Sequence, residues 1–73
     1  MIDKIKELIY KYAPDIDMVY EDENLYERGI SSLDLLMIIL DIEKMFNIHI
    51  SDEEIVDIRN INDISDLISQ KNQ

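Results

Sequence analysis

Cysteine and tryptophan are absent from this chain, and glycine, proline and phenylalanine each occur once in its 73 residues. Without cysteine there is no disulfide framework, no thiolate nucleophile and no cysteine-based zinc site, and the redox compartment is left open. A domain of this size without staples must hold together on its core alone. With few aromatics, that core must be aliphatic, built mainly from Ile and Leu, which suits helix packing. Basic residues are also scarce, seven against 17 acids, for a formal charge of −10. That balance repels nucleic acid and anionic membranes and favours encounter with basic protein surfaces. No stretch approaches the length of a membrane span. The first residues, Met1 to Glu7, alternate charged and apolar side chains and lack the apolar segment of a secretory signal. The expectation is one soluble, cytoplasmic, monomeric domain over residues 1–73.

The apolar positions are helical in period. Ile2, Ile5, Leu8, Ile9 and Tyr12 share a face, predicting a first helix over about 2–13 that the single proline, Pro14, terminates by disfavouring helical backbone at Ala13. Residues 14–31 have no sustained period and carry six carboxylates, predicting a long loop pinned to the core by Met18, Val19, Leu25 and Tyr26. Calcium binding by this loop is disfavoured, because an EF-hand pattern counted from Asp15 lacks its glycine.

Residues 32–46 carry two apolar stripes. At 100° per residue, Leu35, Ile38, Ile39, Ile42, Met45 and Phe46 fall on one face, and Leu33, Leu36, Met37 and Leu40 on the opposite one. One stripe lines the core; the other is covered by a further element or left for a partner. Three other short helices could hardly enclose both faces in so small a domain. Asn47 suits a helix end. Ser51 and Glu54 spell a capping box opening a short helix over about 52–58, and Asn60 with Asp63 repeats the pattern before a last helix over about 61–69, with a fraying tail from Ser69 to Gln73. The fold class expected is all-α, a small four-helix bundle with three longer helices, one short one and a long first loop.

The chemistry concentrates at Gly29-Ile30-Ser31-Ser32-Leu33-Asp34. The glycine supplies a tight turn or a close backbone approach. Ser31 is a favoured N-cap, which leaves the Ser32 hydroxyl at the positive end of a helix, where unpaired N–H groups stabilise an attached phosphate. A serine nucleophile would need a base within reach. The single histidine, His49, lies beyond the far end of a helix of roughly 20 Å, so no self-sufficient active site is expected and the catalytic residues are none.

This stretch resembles the Gly-x-Asp-Ser-Leu motif of acyl carrier proteins. Leu25-Tyr26-Glu27 is similar to that family's Leu-Phe-Glu, Glu43 and Phe46 to its Glu-x-x-Phe, and Ile48 to Glu54 to its Ile-x-Ile-Pro-Asp-Glu-Glu. The resemblance implies a four-helix carrier with 4′-phosphopantetheine, derived from coenzyme A, attached to Ser32. It implies as partners a phosphopantetheinyl transferase and acyl-loading and acyl-processing enzymes with basic docking patches, met through Ser31, Leu33, Asp34, Leu36, Met37, Leu40, Asp52 and Glu53. Departures from the motif fall at Ser31 in place of aspartate, Arg28, Met37 in place of an acid, and Ser51 in place of proline. Because Met37 enlarges the apolar face, a discrete carrier for a dedicated pathway is expected, the alternative being an unmodified acidic helical interaction module.

Overall fold

Four helices in the order α1 (Ile2–Tyr12), α2 (Ser32–Phe46), α3 (Asp52–Val56) and α4 (Ile61–Lys71) make up an all-α bundle in a computed structural model that describes residues 1–72. Among the described residues no helix is long and apolar enough to cross a membrane. The core is aliphatic throughout. Ile5, Leu8 and Ile9 from α1, Leu35, Ile38, Ile39 and Ile42 from α2, and Ile61, Ile64 and Ile68 from α4 meet in it. No polar or charged side chain is buried among the described residues, so stability rests on apolar burial rather than on interior ion pairs.

Helix ends follow local chemistry. α1 stops at Tyr12, one residue earlier than the period suggests, because Ala13 before the proline adopts φ −134°, ψ 68°. α2 ends where Asn47 turns left-handed at φ 53°, its N–H returning to the Glu43 carbonyl. α3 is shorter than expected. It closes at Val56, where the Asp57 and Ile58 N–H groups tighten onto the Glu54 and Ile55 carbonyls. It buries no residue of its own, and the buried Ile50 and Ile58 on either side anchor it instead. α4 is longer than expected, continuing through Ser69 and Gln70 to Lys71, whose ammonium reaches Glu54 Oε1 at 2.9 Å. Only Gln73 of the expected fraying tail lies outside the described residues.

The long loop is pinned by different residues than its composition suggests. Val19 and Leu25 are buried, but Met18 and Tyr26 are exposed, and Ile16 and Ile30 provide the remaining apolar contacts. Polar bonds do the rest. Arg28 Nη1 donates to the Met18 carbonyl at 2.8 Å and to the Glu23 carboxylate at 2.9 Å. Leu25 N–H donates to the Arg59 carbonyl at 2.8 Å and Asn62 N–H to the Glu21 carbonyl at 3.1 Å, stitching the loop to the turn between α3 and α4 and to the first turn of α4. Glu23, receiving the Tyr20 N–H and the Arg28 guanidinium, is held below the usual carboxylate range.

Candidate functional site

The site is built by a turn that ends and a helix that begins. Asn24 Oδ1 accepts the N–H groups of Tyr26 and Glu27, starting a single helical turn. Gly29 closes it at φ +99°. Its N–H donates to the Tyr26 carbonyl and the Ile30 N–H to the Leu25 carbonyl, the paired bonds of a left-handed helix stop, with Ile30 and Leu25 both buried beneath. Nothing lies within 4 Å of where a Cβ would stand at Gly29, so backbone angle and not close approach selects glycine.

One residue further on, the chain is extended at Ser31, and α2 starts. Ser31 Oγ accepts the Asp34 N–H at 3.0 Å, while Asp34 Oδ2 accepts the Ser31 N–H at 3.3 Å. This reciprocal box was half visible in the sequence. Serine as cap follows from residue type, but aspartate as the returning partner does not, since the usual third residue is Glu or Gln. Asp34, expected as a recognition acid, thus has one oxygen committed to the helix start. Ser32 follows as the first helical residue. It is exposed, and its hydroxyl has no hydrogen-bond partner among the described residues. The Ser32 and Leu33 N–H groups, both too early for an intrahelical bond, point out of the helix start.

A phosphoester fits here. The oxygen is free, water reaches it, and the helix end favours negative charge. Hydrolysis by the same serine does not fit. His49 is 87% exposed, and its Nδ1 sits 3.2 Å from Glu43 Oε2 at the other end of α2. An open groove of about 360 Å³ borders Gly29 and Asp34, but Asp34 is about 200° around the helix from Ser32 by the helical repeat. Among the described residues no group of three or more His, Cys, Asp or Glu is placed to hold a metal ion.

Both stripes of α2 resolve. Leu35, Ile38, Ile39 and Ile42 are buried and Phe46 is half-buried, whereas Met45, expected with them, is 47% exposed at the edge of the core. The opposite stripe is open to solvent: Leu33 is 67%, Leu36 41%, Met37 37% and Leu40 41% exposed. Asp52 and Glu53, also expected at a partner surface, are exposed in the first turn of α3. Val56, with no apolar period to mark it in so short a helix, is the most exposed large apolar side chain described, at 73%.

Three other polar contacts fix α2, none with a short-range sequence signal. Asp41 accepts from Tyr12 Oη and, at 3.2 Å, from Lys11 Nζ, and these two bonds hold its carboxyl below the usual range. Glu43 Oε2 accepts the Ile50 N–H at 2.9 Å. In α3, Glu54 receives Lys71 and the Ser51 N–H and is lowered to about 2.

Comparison with known proteins converges on this arrangement. The profile of the family described as "Phosphopantetheine attachment site" matches residues 3–68. An acyl carrier protein homolog from Mycoplasmopsis pulmonis (strain UAB CTIP) is 49% identical over 53 residues, 71% of this chain and 73% of that protein. The crystal structure of an acyl carrier protein from Thermotoga maritima superposes with a TM-score of 0.84 at 32% identity, over 96% of this chain and 84% of that one.

Proposed function

The chain belongs to the acyl carrier protein family, whose members attach phosphopantetheine, and on that premise we propose that it carries an acyl-type group from enzyme to enzyme on an arm attached at Ser32. The observation that carries this reading is the free, exposed Ser32 hydroxyl at a capped helix start, beside an uncovered apolar stripe. When attached, 4′-phosphopantetheine supplies the thiol on which cargo is held as a thioester. The chain's own residues hold and present. Ser31 and Asp34 fix the start of α2, so Ser32 Oγ projects from a rigid element, and Gly29 turns the loop out of its way.

Leu33, Leu36, Met37 and Leu40 form the face against which partner enzymes close, with Asp52 and Glu53 as exposed acids at the neighbouring helix start. A tether of this kind raises the cargo's effective concentration at a docked active site. The protein itself is then no enzyme. We read residues 1–73 as one carrier domain, acting in the cytoplasm as a monomer, with a dedicated pathway favoured by the apolar Met37 on the docking face.

Incubation with coenzyme A and a broad-specificity phosphopantetheinyl transferase tests the proposal by mass spectrometry. The protein gains the mass of one phosphopantetheine, Ser31→Ala still gains it, and Ser32→Ala does not. No gain with several transferases refutes the carrier reading. Partner binding that is indifferent to Ser32→Ala points instead to an unmodified interaction module.

A further inference from the structure

Arg28, where the chain departs from the carrier motif, stands directly before Gly29, and its half-buried side chain gathers the loop onto one nitrogen. Nη1 donates to the Met18 carbonyl at 2.8 Å and to both oxygens of the Glu23 carboxylate at 2.9 Å. Glu23 in turn accepts the Tyr20 N–H at 2.7 Å. The Arg28 N–H donates to the Asn24 and Leu25 carbonyls, so its backbone belongs to the turn that Gly29 closes while its side chain holds the loop upstream. Among the hydrogen bonds of the described residues, the one to Met18 alone joins residues 13–20 to that turn.

This tie borders open space. The groove of about 360 Å³ is lined by residues 13–16 from the start of the loop and by Arg28, Gly29 and Asp34 from its end and from α2. Asp34 is also the residue whose Oδ2 completes the cap of α2, over a bond of 3.3 Å. Ser32 lies inside that cap. The turn leading to it is held from below by the buried Leu25 and Ile30 and from the side by the Arg28 guanidinium. A long loop without such a tie populates several conformations, and the end of a helix frays when the residues leading into it are free.

Resting on the carrier reading above, we propose that Arg28 is a positioning residue for Ser32: its guanidinium locks the loop against the Gly29 turn, so that the first turn of α2 offers the serine hydroxyl to the transferase in one conformation. It acts through the turn and the cap, and not on the reacting atoms. The effect falls on turnover. The stripe from Leu36 to Leu40 is held from behind by the buried Leu35, Ile38 and Ile39, so loss of the tie leaves docking intact. A serine that samples several positions reaches attack geometry less often, which lowers kcat and not KM.

The test uses the full chain with coenzyme A and a broad-specificity phosphopantetheinyl transferase, reading kcat and KM separately, together with 15N relaxation of the unmodified protein. Arg28→Met removes the donors and keeps an unbranched side chain. Arg28→Lys keeps a cationic nitrogen, and because all three bonds come from Nη1, one ammonium can take them over. Arg28→Met is expected to lower kcat about fivefold at unchanged KM. It also drops the order parameters of the Ser32 and Leu33 amides from about 0.85 to below about 0.6, while Ile39 and Ile42 stay rigid. Arg28→Lys restores both readouts. Circular dichroism establishes that the variants are folded; should Arg28→Met not fold, Glu23→Ala removes two of the three bonds and is read in the same way. Order parameters and kcat at parent values in Arg28→Met overturn the proposal. So does a loss that Arg28→Lys shares in full, or one confined to KM, which would make Arg28 a contact of the partner. Failure to modify the unaltered protein refutes the carrier reading instead, and the relaxation measurement, which needs no transferase, then still decides whether Arg28 holds the start of α2.

Discussion

Leu35 and Leu36 are adjacent in sequence and identical in chemistry, yet truncating each to alanine should have opposite consequences. Leu35 is 1% exposed, packed among Ile38, Ile39 and Ile42 in the bundle core. Removing its isobutyl group forfeits the transfer free energy and leaves a cavity the surrounding isoleucines fill only in part, about 3 kcal/mol in all. A chain of this length has roughly 4–11 kcal/mol of stability in total, so the loss takes about a quarter of it or more. At 4–8 °C per kcal/mol for small domains, the melting temperature should fall by about 12–24 °C. Leu36 is 41% exposed, so less area returns to water on unfolding, no closed cavity forms, and alanine's helix propensity offsets part of the loss. Its truncation should cost under about 1 kcal/mol. Urea titration followed by far-ultraviolet circular dichroism measures both, with the slope m unchanged if the variants remain two-state. Transferase turnover supplies the complement: Leu36→Ala is slowed while stable, and Leu35→Ala, measured well below its melting temperature, turns over near the parent rate. Equal destabilisation by the two truncations, or a loss of several kcal/mol at Leu36, would refute the division of α2 into a core face and a partner face.

Acid stability should report the bond between α3 and the end of α4. Glu54 is lowered from 4.5 to about 2, first by the Lys71 ammonium and then by the Ser51 N–H; because its folded value lies below its unfolded one, its contribution is complete above about pH 4.5 and is lost as the pH falls towards 2. Glu54→Gln should therefore flatten the pH dependence of the urea midpoint over that window, and an unchanged profile would count against the Lys71 contact. At Gly29, with φ +99° and open space where a Cβ would stand, alanine should cost about 1–2 kcal/mol from backbone strain alone. A neutral Gly29→Ala in the same titration would mean that the turn relaxes to another conformation.

Helix existence was legible because each helix announces itself by period and cap: Ile5, Leu8 and Ile9 in α1, Ser51 with Glu54 at α3, Asn60 with Asp63 at α4. Ends were less so, since they depend on contacts from elsewhere. Lys71 stays helical because Glu54, 17 residues earlier, meets it, and Met45 leaves the core because it sits at the edge of an arc the period draws only coarsely. The loop was the hardest to read. Its hydrophobic residues were identifiable, but that Ile16 turns inward and Met18 outward has no local pattern, and neither has the Arg28 guanidinium bond to the Met18 carbonyl that fixes the backbone there. At the site, serine, glycine and the double stripe were visible in one dimension. The internal engagement of Asp41 by Tyr12 and Lys11 needed the packing of α1 against α2.

The two backbone bonds that tie the loop to the α3–α4 turn and to the start of α4, Leu25 to Arg59 and Asn62 to Glu21, make the irregular part of the chain a partner in cooperativity. Amide protons in a loop ordinarily exchange through small local openings. Those of Leu25 and Asn62 are released only when the loop separates from the turn and from the first residues of α4. Their exchange lifetimes should therefore match those of helical amides in the core, so that the loop leading to the serine opens with the bundle and not ahead of it.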